Sequence, residues 1–511
     1  MHGGGESAAD GGSPALSAIE MLPIPQRLYL PLRQHAGYPS VPCVTVGQKV
    51  GKGEVIGRAD VWGSVPLHAP TSGTVVAVTA CPTGHPTGLT QLAVVIEPDG
   101  AERWSEAVQG MVDPLNAAPS LLREQIRAAG IVGLGDECFP SHLKLTPPRG
   151  KRVDLLLING AECEPGLSVH ERLMVERANE ILSGIQIIMR IVSAKQCFIG
   201  IEQGKSAAIQ AMTQAAWGVA GVRVQGVPAM RPHGVRQQLV AALTGKNLSL
   251  GARLLDRRLL VHNVSTACSI HDAVWRGRPL LSRVLTVAGG GIARPANLEA
   301  LIGTPLRHLI DHCGGLQSGV DQLFLGGPLL GQAVNTQDVP VLKSSTAVLS
   351  FLPAAGVAKP QQPCIRCGRC VEACPMGLVP AEMARRVRKG QLMRVAELQL
   401  HDCTECGFCG FVCPSHIPLL DTFRYAKWVL QAEKWGRQPP SVGGGHALSE
   451  RDGTAGEPAV VAPPAVVMAE AVAVREEVTV GSASGKGARA VRAAHAARAA
   501  KAAKASRDQA K

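Results

Sequence analysis

Eight of the chain's 15 cysteines fall between Cys364 and Cys413, in two runs of identical spacing. Cys364-x2-Cys367-x2-Cys370-x3-Cys374 is followed by Pro375, and Cys403-x2-Cys406-x2-Cys409-x3-Cys413 by Pro414. The tight spacing lets three thiolates from one winding loop meet one iron–sulfur cubane. The fourth cysteine, carried onward ahead of a proline, reaches the other cluster. The pattern predicts two [4Fe–4S] clusters with crossed ligands: Cys364, Cys367, Cys370 and Cys413 on the first, and Cys403, Cys406, Cys409 and Cys374 on the second. Paired zinc sites are the competing reading of clustered cysteines, but the repeated run with its proline favours iron. Gly368, Gly407 and Gly410 let backbone amides turn toward sulfur and tune the clusters. Such a domain is a wire for single electrons.

The remaining cysteines (Cys43, Cys81, Cys138, Cys163, Cys197, Cys268 and Cys313) show no ligand spacing and read as small buried hydrophobes. At 511 residues several domains are expected. Aromatic residues make up only 3% of the chain, which argues against a nucleic-acid surface built on stacking. More than half of the +12 net charge lies in residues 484–511, where Lys486, Arg489, Arg492, Arg498, Lys501, Lys504, Arg507 and Lys511 face Asp508 alone. Residues 437–511 read as a disordered, basic, Ala-rich tail. Met1 to Ala18 has neither a basic nor an apolar signal region. The apolar stretch from Ile181 to Val192 is broken by Gly184, Gln186 and Arg190, short of a membrane span. The expectation is a soluble chain on the cytoplasmic side, attached to a membrane only through partners or the tail.

Along the chain the reading is multidomain, α/β and α+β. After an N-terminal segment (1–39), residues 40–100 carry short strands at Val44 to Val46, Glu54 to Ile56, Thr74 to Val78 and Gln91 to Ile96, broken by Gly and Pro turns. Gly47 to Val50 and Ala69 to Val75 resemble the barrel-sandwich hybrid of biotinyl and lipoyl carriers, without the carriers' modified lysine motif. Residues 115–275 alternate strands with helices: an apolar strand at Val153 to Ile158, a helical pattern from Glu171 to Val192, a strand at Cys197 to Ile201 and a helix from Ser206 to Trp217, the rhythm of a parallel sheet. A small β-grasp-like unit spans 280–345, with a strand at Val284 to Val287 and a helix from Thr304 to Cys313. Pro353 to Pro363 suits a linker into a helical two-cluster domain at 355–436, with a helical stretch from Ala381 to Leu398 interrupted at Gly390.

Within the α/β domain, Gly130 to Pro140 is a glycine-rich turn followed by Lys144, and the strand ends in Ile158-Asn159-Gly160-Ala161-Glu162-Cys163-Glu164-Pro165. A glycine turn brings backbone N–H groups to a phosphate or flavin ring. Lys144 can neutralise a phosphate, and Glu162 and Glu164 can accept from ribose hydroxyls or a nicotinamide amide. Glycine loops and strand-end acids are also ordinary structural features.

The cysteine runs, Leu30 to His35, Ile158 to Pro165, Asn263-Val264, Thr266-Ala267, Gly303 to Pro305 and Gly326 to Gly331 together resemble the RnfC subunit of the Rnf (Rsx) electron transport complexes, over about residues 22–436. The α/β domain is also similar to the flavin- and NADH-binding subunit of respiratory complex I. That resemblance implies a Rossmann-like domain with FMN bound, NADH as substrate, and sites near Gly133, Gly135, Lys144, Asn159, Glu162 and Glu164. It further implies a peripheral enzyme subunit at the cytoplasmic face of the bacterial inner membrane. NADH would give two electrons to FMN, and the clusters would pass them singly toward integral-membrane and ferredoxin-like partner subunits. Two departures stand out: Gly135-Asp136-Glu137-Cys138-Phe139-Pro140 replaces the family's Gly-Gly-Ala-Gly-Phe-Pro, and Arg231-Pro232-His233-Gly234-Val235-Arg236-Gln237-Gln238 replaces Tyr-Pro-x-Gly-x-Glu-Lys-Gln. They keep two rivals open, a soluble flavin/iron–sulfur subunit of a dehydrogenase or hydrogenase and a relay adaptor without flavin.

Overall fold

The structure, a computed structural model, describes residues 17–434 apart from 85–89, 136–137, 163, 165, 229–234, 247–253, 321, 329–330, 352–360, 375 and 404. Asp136, Glu137, Cys163, most of the expected linker and the 437–511 tail lie outside the described residues. The chain opens with β1 (Ile19–Met21) and β2 (Leu28–Pro31), then β3 (Val41–Pro42), β4 (Lys49–Val50), β5 (Val55–Arg58), β6 (Leu67–His68), β7 (Gly73–Pro82) and β8 (Thr90–Pro98). These form two small sheets, ordered β2-β8-β7-β4 and β3-β5-β6. Leu28, Leu30, Ile56, Val65, Val75, Val94 and Ile96 are buried in their core. Val44 to Val46 is not a strand: Gly47 has φ 88, and Gln48 N–H donates to the Thr45 carbonyl at 3.1 Å. The turn takes the residues that β-propensity alone would have paired. The segment before residue 40 is divided, with β2 in the barrel and β1 at the edge of a distant sheet.

The α/β layer contains α1 (Pro119–Ala128), α2 (Ser141–Lys144), β9 (Leu155–Asn159), α3 (Val169–Glu176), α4 (Ala178–Val192), β10 (Gln196–Glu202), α5 (Ser206–Ala215), β11 (Val222–Val227), α6 (Val235–Thr244), β12 (Leu259–Asn263) and α7 (Val264–Trp275). All four strands are parallel, in the order β11-β10-β9-β12. Leu156, Leu157 and Ile158 of β9 are fully buried, as a strand covered on both faces requires. The helical run predicted through Val192 is two helices, broken at Arg177, whose φ of −129 leaves the helical region.

The next unit is α+β: β13 (Ser282–Ala288), β14 (Ala296–Leu301), α8 (Leu306–His312), β15 (Gln322–Leu325), β16 (Gln332–Val334) and β17 (Ala347–Phe351). Its sheet is ordered β1-β14-β13-β17-β15-β16, and Leu306, Leu309 and Ile310 of α8 pack into its core. The cysteine domain is helical: α9 (Arg369–Glu372), α10 (Pro380–Arg388), α11 (Leu392–Glu397), α12 (Phe408–Phe411) and α13 (Leu419–Lys434). Met383, Val395, Leu400, Phe423 and Ala426 form its core, with the cysteines packed at its margin.

A buried lysine joins the first three units. Lys343 Nζ donates to the carbonyls of Pro66 at 3.2 Å and Gly130 at 2.8 Å, and its N–H donates to Gln34 Oε1. Burial lowers its pKa to about 7. Burial, then the charge of Lys343, lowers His35 to about 4 and His68 to about 3. His142, lowered by burial, and Arg33 also face His35. An unfolded chain takes up protons near the ordinary histidine value, about 6.5, which the folded junction refuses. This stabilisation is therefore complete above that pH and is lost as the pH falls through the window below it. Each histidine contributes up to about 1.4 kcal/mol per pH unit. The melting temperature is expected to drop from about pH 7 to about pH 5, and His68→Gln to flatten that drop. Parallel pH profiles for the two proteins would refute the assignment.

Candidate functional site

The carboxyl ends of β9 and β12 lie side by side, with Asn159 opposite Asn263 in register. From β9 the chain moves outward through β10 to β11, then crosses back to β12 on the other side of β9. This reversal is the topological switch point at which open α/β sheets bind ligands.

Asn263 ends the strand and caps α7, its Oδ1 accepting from Ser265 N–H at 2.7 Å. Its Nδ2 donates to His170 Nε2 at 2.9 Å, while His170 Nδ1–H donates to the Ala161 carbonyl at 2.9 Å. The carbonyl can only accept, which fixes the tautomer of His170. Asn159 Oδ1 accepts from Ala161 N–H at 3.0 Å. The Gly133–Gly135 turn lies above, held by Leu134 N–H donating to Thr266 Oγ1 at 2.9 Å and by Arg283 Nη2 on the Leu134 carbonyl. A Cβ on Gly133 or Gly135 would meet nothing nearer than 3.6 Å, and for Gly135 that neighbour is Asn263. That is ordinary van der Waals distance, so neither glycine is required by the packing of the described residues. Lys144, at the end of α2, faces buried His262, whose pKa is driven well down by burial and then by that lysine.

The two acids differ. Glu162 Oε1 accepts from the N–H groups of His170 at 2.5 Å and Glu171 at 3.4 Å, so its carboxylate caps α3. Glu164 is buried against Gly327 of the α+β unit, where an added Cβ would sit 2.3 Å from its carboxyl carbon. Sequence reasoning passes over Asn263, His170, Thr266 and Glu202 as site residues. Glu202, at the end of β10, has its pKa raised by burial and by nearby Glu162 and Glu171.

In the cysteine domain, α9 and α12 each begin on a left-handed glycine, Gly368 with φ 80 and Gly407 with φ 72. Cys370 interacts electrostatically with Cys413, Cys364 and Cys367, and Cys409 with Cys403, Cys406 and Cys374. The fourth cysteine of each run thus neighbours the third cysteine of the other. Ser415 Oγ donates to the Pro363 carbonyl at 2.9 Å and Gln362 N–H to the Ser415 carbonyl at 2.8 Å, pinning the Cys413 turn to the start of the first loop. Burial raises the thiols of Cys370, Cys374 and Cys403, and pushes Cys409 up to about 12. Amides are turned to the sulfurs: Leu378 N–H donates to Cys374 Sγ at 3.4 Å, and Gly410 serves Cys409. Among the described residues no three His, Cys, Asp or Glu side chains close on a single ion; a cubane offers each thiolate its own iron.

The Nuo51 FMN-binding domain model matches residues 126–272, and the RnfC barrel sandwich hybrid domain model residues 3–101. The SLBB domain model matches 284–333 and the 4Fe-4S dicluster domain model 363–417. This set of domains defines a modular oxidoreductase subunit that joins a flavin-type α/β domain to an iron–sulfur domain. The C subunit of the ion-translocating oxidoreductase complex of Rhodobacter capsulatus is 43% identical over 414 residues, 81% of this chain and 79% of that one. The corresponding subunit of the proton-translocating ferredoxin:NAD(+) oxidoreductase complex of Clostridium ljungdahlii is 40% identical over 369 residues, 72% of this chain and 79% of that one. The counterpart from the ion-translocating complex of Pseudomonas aeruginosa is 39% identical over 422 residues, 81% of this chain and 54% of that one. The chain belongs to the RnfC family of ion-translocating oxidoreductase complex subunits. Among solved structures, a chain of an NAD+-reducing [NiFe]-hydrogenase superposes with a TM-score of 0.44 at 14% identity, over 65% of this chain and 69% of that one.

The contact of Glu164 with Gly327 is directly testable. Gly327→Ala should destabilise the protein by about 1–3 kcal/mol through overpacking, read as a lower melting temperature. Glu164→Gly, which removes the three atoms nearest the new methyl, should restore part of the loss. No recovery in the double variant would show that the methyl acts elsewhere.

Proposed function

We propose that this chain is the peripheral subunit of a membrane-bound complex that couples electron transfer between NADH and ferredoxin to ion translocation, carrying electrons through two [4Fe–4S] clusters at the cytoplasmic face of the bacterial inner membrane. The observation that carries the reading is the crossed grouping of the eight cysteines, which the ligand run of two-cluster domains demands. In this reading Cys364, Cys367, Cys370 and Cys413 hold one cluster, and Cys403, Cys406, Cys409 and Cys374 the other. The similarity to the subunit of the ferredoxin:NAD(+) oxidoreductase complex of Clostridium ljungdahlii supports the physiological couple. Among the described residues no helix is long and apolar enough to cross a membrane, and the reading gives ion translocation to partner subunits.

Bound FMN would supply the exchange between a two-electron hydride donor and one-electron carriers. The residues present suit it. Gly133 and Gly135 put no side chain between the backbone of the turn and a flat ring, and Lys144 supplies a positive charge for a phosphate. The N-terminus of α7 presents the positive end of its dipole at the same strand ends. Asn159 and Glu164 offer polar groups to the nicotinamide or ribose, whereas Glu162 acts through α3, holding His170 in place. Driving electrons uphill from NADH to ferredoxin requires an external source. One charge moving through ~100 mV yields about 2.3 kcal/mol, so the ion gradient is a fitting one.

The iron-loaded protein should contain about eight iron and eight acid-labile sulfide per chain. Cys413→Ser should damage the cluster of Cys364, Cys367 and Cys370; electron paramagnetic resonance showing loss of the other cluster alone would defeat the crossed assignment. Titration with FMN should quench flavin fluorescence, and NADH should then reduce the clusters. Lys144→Ala should weaken FMN binding about tenfold or more, as removal of a phosphate's charge partner does. An iron-loaded chain that binds no FMN would leave only the cluster relay.

A further inference from the structure

The two cysteine loops are built alike, so their differences carry information. Arg366 and Glu405 stand at equivalent places, one residue ahead of the second cysteine of each run, and both have φ 56. Glu405 is tied down. Lys427 Nζ donates to its Oε1 at 2.7 Å and to the Cys403 carbonyl at 2.6 Å, while Arg424 Nε lies 3.4 Å from Oε2. Both cations come from α13, so charge staples the 403–406 loop to that helix. In the sister loop the equivalent residue has the opposite sign. Arg366 is exposed, as is Arg369 three residues on, and the ion pairs among the described residues include neither.

The surroundings differ in the same sense. Cys364 and Cys367 are exposed, whereas Cys403, Cys406, Cys409 and Cys374 are partly covered. Ile365, between the exposed cysteines, is 67% exposed, and Phe411 is 69% exposed on α12, which packs against α9. Phe411 stacks on Phe408 at 5.8 Å between centroids. One loop is tied to α13 through Glu405; the other presents Ile365 beside two arginines outside any ion pair of the described residues, and Phe411 stands exposed on the neighbouring α12. Aromatic residues and arginine are enriched where proteins dock, and complementary charge steers the encounter.

Resting on the two-cluster reading above, we propose that the 364–369 loop, together with Phe411, is the docking face for an electron-transfer protein that carries acidic side chains around its own redox centre. Electrons pass between this subunit and that partner through the cluster of Cys364, Cys367, Cys370 and Cys413. One electron crosses per encounter: the donor centre is oxidised by one, the acceptor centre reduced by one, and no bond forms or breaks.

The test uses the full-length, iron-loaded chain and, as probe, a purified acidic bacterial ferredoxin with two [4Fe–4S] clusters, its binding followed by interferometry. Arg366→Glu combined with Arg369→Glu should weaken binding about tenfold at ~50 mM salt, with the difference closing toward ~500 mM as screening sets in. Position 366 tolerates the change, since the sister loop carries Glu at the same φ. Phe411→Ala should speed dissociation without altering the salt dependence. Arg394→Glu, on α11, should leave binding unchanged. Iron content and the dithionite-reduced resonance spectrum should match wild type in all of these variants. With iron intact, wild-type affinity in the double reversal, or an equal loss from Arg394→Glu, overturns the docking face. Loss of binding to anionic lipid vesicles on double reversal, with ferredoxin binding unaffected, overturns it in favour of a membrane. A wild-type chain that takes up no iron overturns the cluster reading instead.

Discussion

The pairing of β9 with β12 is the constraint on which the flavin-type domain depends. A parallel strand covered on both faces stays apolar along its length and becomes polar only at its end. The register brings two such ends together at Asn159 and Asn263. Each asparagine then satisfies backbone N–H groups that the turn into the next segment leaves open, at Ala161 and Ser265. His170 bridges from α3 to Asn263, so the loop after β9 and the helix after β12 are fixed to one another. A slip of one residue would set Ile158 against Asn263 and turn every side chain of the strand to the other face. The polar convergence at the switch point is thus a consequence of sheet register.

The second constraint is the burial of charge at the junction of the first three units. Lys343 is 1% exposed, its hydrogen-bond acceptors are carbonyl oxygens, and Arg283, 3% exposed, donates to the carbonyls of Ser345 and Leu134. Burial lowers the pKa of Arg283 to about 10. Neither cation forms a carboxylate ion pair among those of the described residues. Burying an ammonium is costly unless its donors are satisfied in good geometry, and here the carbonyls come from two different units. Relative sliding of those units would strand the charge. Arg283 acts similarly on the glycine turn, because its donation to Leu134 fixes the backbone between Gly133 and Gly135. The geometry of the turn is therefore set by the fold itself, and a ligand bound there as proposed would meet a lower ordering cost.

How much of this is legible in the sequence follows the range of the interactions. The cysteine pattern is readable because ligand spacing is local, and β9 and β10 because a doubly covered strand writes a continuous apolar run. The break at Gly390 between α10 and α11 is readable for the same reason. By contrast, β1 has only Ile19, Glu20 and Met21, and its partner β14 begins at Ala296; nothing near residue 20 announces that pairing. Lys343, followed by two serines and a threonine, carries no sequence signal of its burial. Glu162 reads as a ligand group because it follows a strand, and what that reading does not show is that its Oε1 also caps α3, which begins only at Val169. Asn263 and His170 are polar residues with no motif of their own, and their significance lies in a contact across 93 positions. Local chemistry is written in the sequence; convergence of distant chain is not.

In the cysteine domain the same desolvation that shapes the site also governs how it forms. A thiol pushed up to about 12, as at Cys409, is protonated at neutral pH, and the iron–sulfur ligand is the thiolate. The charged form therefore arises as iron displaces the proton, and cluster binding releases protons into solution. The helical core of Met383, Val395, Leu400, Phe423 and Ala426 is small, and the cysteines packed at its margin belong to loops that begin on left-handed glycines. In the proposed crossed assignment each ligand set draws on both loops. A cluster bound through it ties α9 to the Cys413 turn, or α12 to the segment after Cys374, in one step. Metal binding and the closing of the domain are thus coupled: the free energy of ligation is also the free energy that holds two short, poorly covered helices against one another.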